Sequence, residues 1–389
     1  MYEPAVETLP WADQPSADDP LYRRQIDYLF ARSPFYRMRL TEAGFANADA
    51  VGGLARIADL PFTEKDDLRK TRTEANAVGA HLAAPFADLV RIFSTSGTTG
   101  APSYIPLTGG DLRNWVRTSA RSYTASGVKR GEAFVSTYNA GPFVAGVTLD
   151  AFQEIGLCHI PVGSGNTERL MAAIRFLKPT AMGMTPSYAL HLAEWARQRG
   201  IEPASQSVRK ILVAGEPGGG EPAMRQTLEA AWNADVTEAM GIGDISVSVW
   251  GECTAKQGMH FSARGFVHFE LIDPATGMPV PMVDGAEGEL VYTHLQHQAA
   301  PLLRFRSRDH VVVWTGPCKC GRTAPRVRCI GRTDDMLIVR GVNIFPTALR
   351  DLVSGFAPET SGVLSVRPTQ KGFRQDPPHA GPDTGKNNT

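Results

Sequence analysis

Between residues 94 and 100 the chain reads Ser-Thr-Ser-Gly-Thr-Thr-Gly, directly after the apolar run Leu89 to Phe93. Glycines let a backbone fold around an anion with its N–H groups turned inward, and clustered hydroxyls donate further hydrogen bonds to phosphate oxygens. Ser94, Ser96, Gly97, Thr98, Thr99 and Gly100 are therefore candidate triphosphate ligands. A polar turn rich in Ser and Thr has the same composition, so a plain turn fits as well. No Gly-Lys-Ser/Thr follows, which rules out a Walker loop.

A second chemistry is written in sulfur. Cys318-Lys319-Cys320-Gly321-Arg322 has the paired thiols and tight turn of a metal knuckle, and Cys253 and His260 stand upstream across a strand-rich stretch. These four ligands would close a tetrahedral structural zinc site, with ordinary buried thiols as the alternative. Cys158 and Cys329 read as core residues. Val208 to Gly218 reads as a buried strand entering a glycine-rich turn, but Glu216 and Pro217 break the glycine spacing that a dinucleotide fingerprint requires. Between residues 304 and 340 arginines outnumber acids, which would attract a nucleotide or other phosphate-bearing ligand, or else form a solvated basic face. No HExxH or GxSxG motif occurs. His81, His191, His268, His294 and His310 are scattered and read as surface or packing residues.

These groups need a scaffold. From about residue 88 to 300, β-branched runs (LVRIF, AFVSTY, RKILVAG, GELVYTHL) alternate with helical stretches (LRNWVRTSARSYTAS, EPAMRQTLEAAWN), the pattern of an α/β protein whose sheets are covered by helices. Residues 265 to 315 shift towards strands and turns, predicting a smaller β-rich subdomain. Residues 21 to 43 predict two short amphipathic helices broken at Ser33-Pro34. After about Ala357 the Pro/Gly/polar composition predicts a disordered tail over 357–389.

The chain has 389 residues with 40 basic and 40 acidic side chains, enough for a large core and without the charge bias of a nucleic-acid or anionic-membrane partner. No apolar run reaches membrane-spanning length, and the amino terminus is acidic and polar, unlike a signal peptide. A cytoplasmic location is expected. Five cysteines, an odd number, argue against a disulfide framework.

TSGTTGAP resembles the phosphate-binding motif of the class I adenylate-forming enzymes. SPFYRMRL, LPFTEKDDL and GRTDDMLIVRGVNIFP are similar to the phenylacetate–CoA ligase branch of that superfamily, and the match runs in register from about residue 20 to 350. The resemblance implies the adenylate-forming enzyme fold, with a large AMP-binding domain over 1–330 that includes the β-rich subdomain at about 250–330. A hinge and remnant of the C-terminal domain would occupy 331–356, an incomplete C-terminal lobe.

By the same resemblance, Gly215, Glu216 and Pro217 line the adenine pocket, and Ala214 borders the acyl pocket. Glu238-Ala239-Met240-Gly241-Ile242-Gly243-Asp244 stands where the family has Tyr-Gly-Leu-Ser/Thr-Glu. Asp244 would hold Mg²⁺, one methylene shorter than the family acid, with Met240 and Gly241 beside the acyl pocket; a helix-capping aspartate is the alternative. Arg304-Phe305-Arg306-Ser307-Arg308-Asp309 resembles Arg-Tyr-Arg-Thr-Gly-Asp, so Asp309 would accept both ribose hydroxyls, and Arg308 stands where the family has glycine. In Gly331-Arg332-Thr333-Asp334-Asp335, Arg332 would face the phosphates and Asp334 would be the hinge. Tyr138 and Phe143 lie in the region that lines the aryl pocket, and core packing would also account for them.

The implied reaction is ATP-dependent activation of an aromatic or arylacetic acid through an acyl-adenylate, with transfer to coenzyme A. Transfer to a protein thiol, or a nucleotide-binding homologue impaired in catalysis, are the alternatives. Thr98, Asp244 and Arg332 would be catalytic. ATP, Mg²⁺ and coenzyme A are the implied cofactors, a carrier protein or a complementing C-terminal lobe are conceivable partners, and the family resemblance allows a homodimer.

Overall fold

Four runs of three or four apolar residues, each followed by an amphipathic helix, set up one half of the fold. The computed structural model describes residues 1–94, 103–138, 141, 143–163, 165–334, 337–339, 342–344, 349 and 353. In chain order the strands of the first unit are β1 Leu89–Ser94, β2 Tyr104–Thr108, β3 Ala133–Ser136, β4 Cys158–Pro161, β5 Ala181–Met184, β6 Lys210–Val213, β7 Asp235–Ile242, β8 Ser246–Glu252, β9 Met259–Phe261, β10 Val267–Ile272, β11 Glu287–His294, β12 Phe305–Trp314 and β13 Arg326–Arg332. All but β1 and β2 join one eleven-stranded sheet in the order β10-β11-β12-β13-β9-β8-β7-β6-β5-β3-β4.

β3 to β7 are parallel, joined by crossover helices Val147–Ile155, Thr167–Leu177, Pro186–Arg197 and Pro222–Trp232. Parallel strands are covered on both faces, and every residue of Ala181–Met184 is accordingly buried. Thr185 and Asn166 cap their helices through Tyr188 N–H and Arg169 N–H, while Lys178 and Asn233 end theirs in the left-handed region at φ 48°. Trp232, Leu192, Met182 and Val213 pack there at full burial, where truncating a leucine costs about 2–5 kcal/mol.

The expected β-rich subdomain is the other half of this same sheet. β7 runs parallel to β6 and antiparallel to β8, so the antiparallel strands β8 to β13 continue across the seam strand. Trp250, Phe261, Phe269 and Tyr292 on that half pack against Tyr22, Ile26 and Leu29 of the amino-terminal helices. Those helices, Gln14–Arg32 and Pro34–Glu42, break at Ser33-Pro34 as their sequence predicts. The first begins well before residue 21, because tertiary contacts bury the polar residues Gln14 and Asp18. β1 and β2 form a separate antiparallel hairpin with Ser94 opposite Tyr104. Cys158 is exposed on edge strand β4, not a core residue, and Cys329 is half-buried.

Backbone contacts divide the chain into Met1–Thr333 and Asp334–Thr389. The second unit contains the antiparallel pair β14 Leu337–Val339 and β15 Val342–Ile344. Ser96, Gly97, Thr98, Thr99 and Gly100, and the tail expected over 357–389, lie outside the described residues.

Candidate active site and metal centre

Ligands of open α/β sheets sit in the crevice outside the carboxyl ends of the parallel strands. β7 ends there. Gly241 in β7 is required by contact, since a Cβ would stand 1.8 Å from the Val247 carbonyl oxygen. Asp244 then occupies the turn into β8, closed by Ile245 N–H donating to Ile242 O at 2.8 Å. A strand follows and not a helix, which overturns the helix-capping alternative for Asp244. Its carboxylate pairs instead with Lys65 Nζ at 2.9 Å, with the Asp244 side chain only 12% exposed.

Lys65 opens the short helix Lys65–Arg69, and Thr63 ties that segment to β12. Thr63 N–H donates to Arg304 O at 2.9 Å, its carbonyl accepts from Arg306 N–H at 3.0 Å, and its hydroxyl meets Tyr36 Oη at 3.1 Å. Sequence reasoning uses LPFTEKDDL as a family signature and misses Lys65, whose partner lies 179 residues away and leaves no local spacing signal. Arg72 was missed for the same reason. Its guanidinium sits 5.7 Å from the Tyr104 ring centre, and both Arg72 and His81 lie within reach of the Asp244 charge. Burial pushes His81 down to about 4, keeping it neutral, and its buried Nδ1 has no hydrogen-bond partner among the described residues.

Three further segments meet at this place. Ser94 ends β1 opposite Tyr104 and forms a parallel bridge with Phe143. A Cβ on Gly243 would lie 3.7 Å from Val144 Cγ2 and 3.9 Å from Ile105 Cδ1. The start of the Ser/Thr/Gly loop, the 143–144 segment and the Asp244 turn therefore line one crevice. Phe143 is 47% exposed and so is not a core residue. Tyr138 is packed against a core cluster, and at Gly183 a Cβ would approach its ring to 3.3 Å; burial drives its hydroxyl well above the usual tyrosine range.

Gly215, at φ +94°, turns the chain out of β6 after Ala214 N–H has bonded Met184 O at 3.1 Å. Glu216 accepts from Ser187 N–H at 2.7 Å, at the start of helix Pro186–Arg197. Pro217 leads to Gly219 and Gly220, where side chains would collide with Val213 and Glu238, and Gly220 also faces Arg328 of β13 at 3.6 Å. Burial, then the charge of Glu252, pushes Glu238 up to about 7. Met240, half-buried, pairs with Trp250 across the seam.

Asp309 and Arg332 face each other across β12 and β13, 3.5 Å apart. Asp309 N–H donates to Ser307 Oγ at 3.1 Å. Arg308 keeps a left-handed backbone at φ 67°, the region a glycine favours, while its guanidinium bonds Glu64 at 2.6 Å and approaches Glu289 at 3.7 Å. The arginines of this region are not a solvated face. Arg304 is held by both oxygens of Glu270, Arg306 by both oxygens of Glu289, and Arg322 by Glu7. Acids from distant segments neutralise these three.

The sulfur cluster assembles as its residue types imply. β8 runs into Cys253, β9 carries His260, β13 pairs with β9 at Arg326–His260, and the β12–β13 loop brings in Cys318 and Cys320. The four ligand atoms lie within 4.8 Å of one another, with Cys253 Sγ to Cys318 Sγ at 3.6 Å and Cys320 Sγ to His260 Nε2 at 3.4 Å. A tetrahedral ion with Zn–S bonds of about 2.3 Å spaces its sulfurs by about 3.8 Å, so the set fits zinc. His260 Nδ1 is 3.1 Å from Ala324 O, which leaves Nε2 for a metal. The hydrogen bond from Cys253, then His260, drives the Cys320 thiol down, while Cys253, sharing that proton, is pushed up.

The sequence model of the AMP-binding enzymes matches residues 40–296, and the chain belongs to that family. Within it the similarity narrows to phenylacetate–coenzyme A ligases. That of Thermus thermophilus is 36% identical over 351 residues, 89% of this chain and 76% of the relative. That of Pseudomonas putida is 32% identical over 362 residues, 91% of this chain and 80% of the relative. A crystal structure of 2-hydroxyisobutyryl-CoA ligase with 2-HIB-AMP and CoA superposes with a TM-score of 0.83 at 28% identity, covering 91% of this chain and 83% of that one.

Proposed function

We infer that this chain is an AMP-forming ligase that activates an aromatic or arylacetic carboxylic acid with ATP and passes the acyl group to coenzyme A. The observation that carries the reading is the crevice where Asp244, Lys65, Arg72, Ser94 and Phe143 converge at the seam of the sheet. The relatives' names favour coenzyme A over a protein thiol as acceptor.

In the first half-reaction a carboxylate oxygen of the acid bonds to the α-phosphorus of ATP as the bond to pyrophosphate breaks. In the second, the thiolate of coenzyme A attacks the acyl carbon and AMP leaves with the C–O electron pair. The loop after Ser94, Thr98 included, would wrap the phosphates, with Lys65, Arg72 and Arg332 supplying positive charge as pyrophosphate departs. Asp309 would accept the two ribose hydroxyls, one per oxygen. Gly215, Glu216 and Pro217 would border the adenine, and Tyr138, Phe143, Ala214, Met240 and Gly241 the acid.

Asp244 would hold Mg²⁺ through its carboxylate, a hard oxygen ligand of the kind that ion prefers. When bound, Mg²⁺ supplies neutralisation of the phosphate oxygens. Cys253, His260, Cys318 and Cys320 would hold zinc in a saturated and therefore structural site. Asp334 begins the second unit, after a first unit of Met1–Thr333, which supports its role as a hinge close to the boundary expected at 330/331. No helix among the described residues is long and apolar enough to cross a membrane.

Pyrophosphate exchange into ATP with a panel of aryl and arylacetic acids tests the first half-reaction. Acid-dependent exchange, followed by AMP release that requires coenzyme A, is the expected result. Absence of exchange with every acid at high enzyme concentration defeats the enzyme reading.

A further inference from the structure

The turn that carries Asp244 is held from behind by a buried histidine that sequence patterning reads as packing. His294, at the end of β11, is 2% exposed and has both ring nitrogens engaged. Leu302 N–H donates to His294 Nδ1 at 3.0 Å, which fixes the ring proton on Nε2, and Nε2–H donates to Ile245 O at 3.1 Å. Ile245 is the residue after Asp244 and is itself fully buried. Burial, then the neighbouring His297, keeps His294 neutral at about 3, so this hydrogen-bond pattern is constant across working pH.

The ring is braced in turn. His297 stacks on it at 4.3 Å between centroids and 13° between planes, and His297 Nδ1 lies 3.4 Å from Asp111 Oδ1. Asp111 is anchored by N–H bonds from Gln298 at 2.7 Å and Ala299 at 2.9 Å, and it caps helix Gly109–Ala125 together with Thr108. Gln25 of the amino-terminal helix holds the His297 backbone from both sides, donating to its carbonyl at 3.0 Å and accepting from its N–H at 2.8 Å. A rigid column thus runs from the capped helix through two stacked imidazoles to the carbonyl beside the candidate metal acid.

We propose that His294 is a positioning residue for Asp244: its Nε2–H bond to the Ile245 carbonyl sets where the shorter acid of this chain meets the metal–triphosphate. The proposal rests on the reading of Asp244 given above. Partners that orient a metal's carboxylate ligand change metal affinity by about 10–100-fold when removed.

Two substitutions separate the two bonds of the ring. His294→Asn keeps an acceptor for Leu302 N–H and falls short of Ile245, whereas His294→Gln keeps a donor that reaches Ile245. Mn²⁺ binding to the full chain in the presence of α,β-methylene-ATP, followed by electron paramagnetic resonance, is the readout, with thermal melting in parallel. We expect His294→Asn to weaken Mn²⁺ about tenfold and His294→Gln to stay within about twofold of the unaltered chain. Unchanged Mn²⁺ affinity in His294→Asn, or equal loss in both variants, overturns the proposal. If His294→Asn does not fold, His294→Thr, a strand-favouring residue that also cannot reach Ile245, takes its place. Asp244→Ala is the control. If it leaves Mn²⁺ affinity unchanged the metal reading of Asp244 fails first; if it abolishes binding while His294→Asn does not, only the positioning role fails.

Discussion

The sulfur cluster and the proposed nucleotide ligands are built in opposite ways. At the cluster, three thiols and an imidazole from distant segments gather within 4.8 Å of each other, and the partners they have are mainly one another. At the candidate nucleotide residues the two acids already have protein partners: Asp244 has Lys65 at 2.9 Å, and Asp309 has Arg332 at 3.5 Å. A site that keeps its ligand can be built from groups that converge on one point. A site that binds and releases substrate each cycle is better served by groups that hold one another at rest and exchange partners on binding, since a lone half-buried charge is costly.

That contrast breaks most visibly at the cluster. Cys318→Ser should abolish a single zinc equivalent measured by elemental analysis and lower the melting temperature by on the order of 10 °C, because structural zinc binding is folding free energy. A chain that carries no zinc as purified and melts unchanged after the substitution would remove the cluster from the comparison.

Among the proposed nucleotide ligands the largest expected loss is at Asp309. If Asp309 holds the ribose as proposed, Asp309→Ala removes two charge-assisted hydrogen bonds of about 1.5–3 kcal/mol each, so ATP affinity should fall on the order of 10²–10⁴-fold. Discrimination between ATP and 2′-deoxy-ATP should shrink with it. Equal preference for the two nucleotides in the unaltered chain would place the ribose elsewhere.

A smaller effect separates resting ion pairs from buried acids that lack one. Burial pushes Asp18 up to about 6, against an ordinary 3.8. A raised carboxyl pKa means the folded state binds the proton more tightly, so this group costs stability above about pH 6 and that cost fades as pH falls towards 4. Asp18→Asn should therefore raise the melting temperature at pH 7.5 by an amount corresponding to about 1–3 kcal/mol, and by much less at pH 4. A gain that is flat with pH would refute the burial account.

The smallest expected change is at Arg308. Glycine there relieves a left-handed backbone worth about 1–2 kcal/mol but gives up the contacts to Glu64 and Glu289, so Arg308→Gly should leave stability within about 1 kcal/mol of the unaltered chain in denaturant melts. A loss several times larger would show that this ion-pair network is a main support of β12.

Much of this was legible without coordinates. Leu89–Phe93 and RKILVAG announce strands by β-branched runs, Ser33-Pro34 announces a helix break, and CxCG announces a knuckle whose partners Cys253 and His260 could be named. What stayed hidden lies in pairings across long chain separations. Lys65 in an acidic segment has no pattern that points to Asp244, and the arginines of 304–332 look unpaired until Glu270, Glu289, Glu64 and Glu7 come into view. The change of strand pattern after residue 265 was legible too, but it does not say whether two sets of strands share a sheet, and here they do.

Sequence by itself determined the local chemistry: which segments could be strands, which turn could hold phosphate, which thiols could hold zinc, and which family these motifs resemble. Only the tertiary structure decided that β7 joins both halves of the sheet, that Asp244 faces Lys65, and that two stacked histidines stand behind its turn. The physical reason is that propensity, capping and ligand type act over a few residues, whereas burial and charge pairing are settled by whatever the folded chain brings alongside.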